Sequence, residues 1–146
     1  MRIASTALVL ALLGAGCGGT ATTPSTTTTT PVTSTQFFSG TLDVQGATFA
    51  SFTVIQAGTV SVTLASVTTG ATVGTSSPPV PTVLGVGLGV ASADGLSCTV
   101  SSSVNTAAGF TAQLAVAAAV GTSCVQILDV GNLTGPVNFV VRIVHT

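Results

Sequence analysis

Lysine, glutamate, tryptophan and tyrosine are missing from this 146-residue chain, and charge of either sign is scarce. The ionisable side chains apart from cysteine are Arg2, Arg142, Asp43, Asp94, Asp129 and His145. Charged residues make up 3% of the chain, against about a quarter in an ordinary soluble domain. Each shortage excludes something. A polyanion-binding surface needs clustered lysine and arginine to neutralise phosphates, so nucleic acid is not an expected partner. Acid–base catalysis needs side chains that carry protons, and with so few present no catalytic residue is assigned and no enzyme is expected. Without tryptophan or tyrosine, the aromatic platforms that stack on sugars are disfavoured.

What the chain does have begins with an address. Met1 and Arg2 precede a hydrophobic stretch from Ile3 to Leu13, followed by Gly14-Ala15-Gly16-Cys17. A positive start, a short apolar middle and small residues at the exit describe an export signal over residues 1–16. The apolar run is too short for a permanent crossing, which takes roughly 20 residues. Leu13-Gly14-Ala15-Gly16-Cys17 resembles the lipobox of bacterial lipoproteins, departing from it at Gly14, where leucine is usual. The resemblance implies that Cys17 is lipidated and becomes the first residue of a protein held on a membrane of the cell envelope. Ordinary cleavage further on, which would discard Cys17 and release a secreted protein, is the competing expectation. Acyl chains on Cys17 would anchor firmly, since each buried methylene adds about 0.8 kcal/mol.

Residues 17–36 read as a linker. From Thr20 to Thr35, 12 of 16 residues are threonine or serine, with Pro24 and Pro31 among them. Such a segment has no apolar surface with which to offset its ordering entropy, so it is expected to stay extended as a stalk. Stretched fully, the chain from Cys17 to Phe37 would reach about 60–70 Å.

Residues 37–146 are expected to form one domain, and their periodicity is two. Val60-Ser61-Val62-Thr63-Leu64 alternates, as do Val137, Phe139, Val141 and Ile143 with Asn138 and Arg142 opposite. Threonine, valine and isoleucine, stiff at the first side-chain torsion, suit a pleated surface. Glycine and proline punctuate the pattern from Gly46 to Gly135-Pro136. The expectation is an all-β protein, a single antiparallel sandwich or barrel of about eight strands. They are placed near 37–44, 48–56, 59–66, 82–90, 97–103, 111–118, 122–130 and 137–145. The alanine-rich stretch 112–120 is the least distinct, since it would also suit two turns of helix.

The runs Phe38-Ser39-Gly40-Thr41-Leu42, Phe52-Thr53-Val54, Gln56-Ala57-Gly58-Thr59-Val60 and Cys124-Val125-Gln126-Ile127-Leu128-Asp129-Val130-Gly131-Asn132 resemble one family. They are similar to the small jelly-roll β-sandwiches of the bacterial pre-peptidase C-terminal type, over about residues 37–145. That resemblance implies a jelly-roll-like sandwich and a non-catalytic accessory module outside the cytoplasm.

Few positions could carry chemistry. Cys98 and Cys124 fall in two expected strands, and an exported chain meets an oxidising compartment, so they are expected to form a disulfide. Zinc is disfavoured, because two cysteines and one histidine cannot supply its four ligands. In Leu84-Gly85-Val86-Gly87-Leu88-Gly89-Val90, alternation puts the aliphatic residues on the core face and Gly85, Gly87 and Gly89 on the other. The glycine spacing fails the dinucleotide fingerprint. A row without side chains means close approach to the backbone, either by the chain itself or by a ligand in a groove. Asp129 to Asn132 reads first as a turn; the second reading is a ligand site at Asp129 and Asn132, with weak calcium binding as the one cofactor in view. His145 is expected at the surface or on an edge strand, where a fraying terminus orients an imidazole poorly. The phenylalanines are expected mostly in the core. The expected partners are the membrane, through Cys17, and an envelope protein.

Overall fold

The computed structural model describes residues 31–70 and 78–146. The signal segment 1–16, Cys17 and most of the linker lie outside the described residues. Eight strands follow in order: β1 (Ser34–Leu42), β2 (Ala47–Val54), β3 (Gly58–Thr69), β4 (Val83–Ala91), β5 (Cys98–Ala107), β6 (Leu114–Ala118), β7 (Gly121–Asp129) and β8 (Val137–His145). They form two four-stranded antiparallel sheets, β1-β8-β3-β6 and β2-β7-β4-β5. The two sheets pack face to face, and this strand order is that of a jelly roll. No helix occurs among the described residues, and the alanine-rich stretch forms β6.

Alternation explains the core. Val60, Val62, Leu64, Val137, Phe139, Val141 and Ile143 of the first sheet meet Phe52, Val54, Leu84, Val86, Leu88, Val125 and Ile127 of the second, all buried. Burying a valine, leucine or phenylalanine side chain is worth roughly 1.5–3 kcal/mol each, and this is the main force holding the layers together. β3 and β8, which supply most of the first sheet's core residues, lie inside their sheet, paired on both sides. The edges fall to serine- and threonine-rich β5, to five-residue β6, and to β1 and β2. Short or polar edges discourage pairing between molecules.

Three sequence expectations change here. The first strand begins at Ser34 rather than near residue 37, because Ser34, Thr35 and Gln36 pair with His145, Val144 and Ile143 of β8. Backbone pairing recruits these polar residues although they add little to the core. β3 runs on to Thr69 through a bulge between Leu64 and Ser66. Beyond Val62, where pairing with β6 ends, the Gln113 side chain carries on the pairing: its Oε1 accepts from the Leu64 N–H at 2.8 Å. The phenylalanines also divide. Phe52 and Phe139 are buried and Phe38 packs edge-on against Phe139, whereas Phe37 and Phe110 are exposed. Phe37 and Phe38 are neighbours on one strand, so only one of them can face inward.

Candidate functional site

The sandwich has two ends. The chain arrives through residues 31–33 at the proximal end, which also holds the turns 55–57, 92–97 and 119–120. The distal end holds the turn 43–46 and the loops 108–113 and 130–136.

The glycine row of β4 lies on the outer face of the second sheet and is buried by the chain itself. A Cβ on Gly85 would meet Leu128 Cγ at 2.7 Å and Val130 Cγ1 at 3.2 Å, and one on Gly87 would meet Val100 Cγ1 at 2.9 Å. A Cβ on Gly89 would collide with the Thr99 carbonyl oxygen. The ligand groove expected above Gly85, Gly87 and Gly89 is therefore filled from within, which corrects the binding reading of these residues. The cause is visible in the register. β5 shifts by one residue opposite Leu88 and Gly89, so its first residues lean over β4. Cys98 thereby reaches Cys124 of β7, on the far side of β4, with 5.8 Å between their α-carbons, and the two form a disulfide. Only a residue without a side chain lets one strand pass this close over another. Gly89 and the disulfide thus belong to one device. Val90, expected in the core, is exposed because it lies at the mouth of the cleft it shares with Val116 and Val120.

Asp129 ends β7 and organises the distal end. Its Oδ1 accepts from the backbone N–H groups of Gly131 and Asn132, both at 2.9 Å, and of Leu133 at 3.2 Å. Its Oδ2 accepts from the N–H of Gln45 at 2.9 Å. Gly131, at φ +90°, supplies the backbone turn that aims these donors inward. The bond from Gln45 and those from the 131–133 loop hold the carboxyl below its ordinary acidity range, favouring the anion. Both oxygens thus accept N–H donors from the chain itself, an arrangement that suits the ionised carboxylate. The turn reading of Asp129 accounts for all four of these bonds. The Asn132 amide itself donates from Nδ2 to the Val83 carbonyl, tying this loop to the start of β4. Asp94, in the proximal 92–97 turn, is held below its ordinary range by the Ser92 hydroxyl and then by the Leu96 N–H. It lies at the opposite end of the sandwich from Asp129.

His145 departs furthest from expectation. It is 3% exposed, on the core face of β8, its ring 5.1 Å from that of Phe52. Its Nδ1 lies 3.3 Å from the Thr146 carbonyl oxygen, and its Nε2 is buried without a partner. The surface placement is corrected: β8 is an interior strand, and His145 continues the inward series Val137, Phe139, Val141, Ile143. Sequence reasoning passed over it although the same alternation reached it. It also lies at the proximal end, away from Asp129, so the two share no site. Among the described residues, no three histidine, cysteine, aspartate or glutamate side chains gather as metal ligands would.

The class this geometry defines is a disulfide-crosslinked jelly-roll sandwich in which the Asp94 and Asp129 carboxylates serve its own turns. Comparison of the chain with protein-family models and with curated proteins finds no match.

Proposed function

We propose that this protein is a lipid-anchored, non-catalytic module of the bacterial cell envelope, whose role is structural, adhesive or in contact with an envelope protein. The observation that carries the reading is where the few ionisable groups are used. Asp94 and Asp129 hold turns at opposite ends, and Arg142 lies on the outer face of the first sheet between Phe37 and Thr63. A cross-strand disulfide supports export, since such bonds persist in oxidising compartments. The export signal and the lipobox-like Leu13–Cys17 supply the address and the tether. The likeness to pre-peptidase C-terminal modules fits an accessory role of this kind.

The deciding experiment is metabolic labelling with palmitate in a bacterial host, comparing the wild type with Cys17→Ser. Label in the wild type and none in the variant is expected. An unlabelled wild type that leaves the cell as soluble protein overturns the anchoring.

A further inference from the structure

We infer that the proximal end of the sandwich is a bilayer-contacting face, with Ile55, Leu96 and Val120 as apolar tips that enter the outer layer of a lipid membrane. This rests on the anchored reading above and adds to it: the domain would lie on the membrane rather than stand off it.

Each proximal turn presents one large aliphatic residue to solvent. Ile55 is 73% exposed, Leu96 79% and Val120 64%, and they come from three different connections, β2–β3, β4–β5 and β6–β7. Val32, where the chain arrives, and Val90, behind the Val120 turn, extend the same apolar end. Turns are ordinarily polar, and apolar residues grouped at one end of a domain mark a contact surface. Two of these tips, Leu96 and Ile55, are on turns held in place. The 92–97 turn is closed by bonds from Ser92 and Leu96 to Asp94, and the 55–57 turn by the Thr146 hydroxyl donating to the Gln56 carbonyl at 2.9 Å.

Charge and chain path select lipid as the occupant. Asp94 is the one charged side chain in the proximal turns, and its carboxylate is turned back onto its own loop. No basic residue is there to seek anionic headgroups, so the contact is apolar and indifferent to salt. The distal end, by contrast, carries Asp43 and Asp129 beside its exposed Phe110 and Val44. Thirteen residues separate Cys17 from Pro31, a span of at most about 45 Å when fully extended. A tether that short, joined at the proximal end, holds the three tips at high effective concentration near the membrane.

Absence of native tryptophan makes the test direct. The chain from Cys17 onward, carrying Leu96→Trp, Ile55→Trp or Phe110→Trp, is coupled through Cys17 to phosphatidylcholine vesicles bearing maleimide lipid, Cys98 and Cys124 being sealed in their disulfide. Coupling makes the readout independent of whether cells acylate Cys17, which palmitate labelling reports separately. The expected result is a blue-shifted emission, quenched by brominated lipid and unaffected by salt, at Leu96→Trp and Ile55→Trp but not at Phe110→Trp. Adding Val120→Ser should lower the docked-to-free ratio about tenfold, the value of one aliphatic side chain leaving hydrocarbon. No shift at Leu96→Trp, or equal shifts at both ends, overturns the inference. So does a shift that appears without lipid as protein concentration rises, which would make a second copy the occupant.

Discussion

Removing the disulfide by the double substitution Cys98→Ala/Cys124→Ala tests how the second sheet is closed. The two cysteines are 26 positions apart, and releasing a loop of that size costs about 3.5 kcal/mol of chain entropy. A domain of about 110 residues unfolds with an entropy of roughly 0.23 kcal/mol per degree, so the melting temperature should fall by about 15 °C. The structure adds a stricter expectation concerning Gly89. Its missing Cβ is what lets Thr99 and Val100 lie across β4, so Gly89→Ala should lift the start of β5 and leave part of the protein with free thiols. In the background without the disulfide, that lifting is no longer opposed by a covalent bond. Gly89→Ala should then cost less than in the wild type, and the two perturbations should be non-additive, as expected for coupled sites. Circular-dichroism melts of the four proteins, with thiol titration under non-reducing conditions, measure every leg of the cycle. Strictly additive losses, or a Gly89→Ala protein with no free thiol and an unchanged melt, would refute the crossing argument.

Four further outcomes follow from the same geometry. His145→Leu removes a buried nitrogen without a partner and should stabilise by about 1–2 kcal/mol in denaturant titration, while a loss of stability would mean that Nε2 is satisfied. Gln45 sits at φ +57°, where glycine is unstrained, so Gln45→Gly should gain about 0.5–1 kcal/mol after its own chain entropy is counted. Asp129 is more acidic when folded than its ordinary value of 3.8. Its contribution is therefore fully present above that value and lost as pH falls through the lower folded one. Asp129→Ala should accordingly flatten the acid limb of stability below about pH 4, and an unchanged limb would contradict the cradle. Calcium or chelator should leave the melting temperature where it is, since Asp129 is engaged by four N–H donors of its own turns; an upward shift with calcium would favour the metal reading.

The sandwich was legible because its information is local. Period-two runs such as Val60–Leu64 and Val137–Ile143 record which face each residue takes, and glycine and proline record where strands stop. Jelly-roll order came from resemblance alone, because alternation is silent about which strands become neighbours. The site was less legible for the same reason. Asp129 read correctly as a turn residue, yet its partner Gln45 lies 84 positions away, and no local pattern announces that bond. The glycines of β4 signalled close approach without saying by what; the answer depended on a one-residue slip in β5. His145 needed only that the alternation of β8 be followed one step further, against the habit of treating chain ends as frayed.

Because β4 has no side chains on its outer face between Val83 and Ala91, its shelter there is borrowed from Thr99, Val100, Leu128 and Val130. Tolerance of sequence drift is correspondingly uneven. Most threonine and serine positions on the strands can be exchanged for other small polar residues at little cost. Those few covering positions cannot, since trimming any one of them bares a strip of main chain in the middle of a sheet. Descendants of this chain should vary freely over most of their exterior while keeping that roof intact.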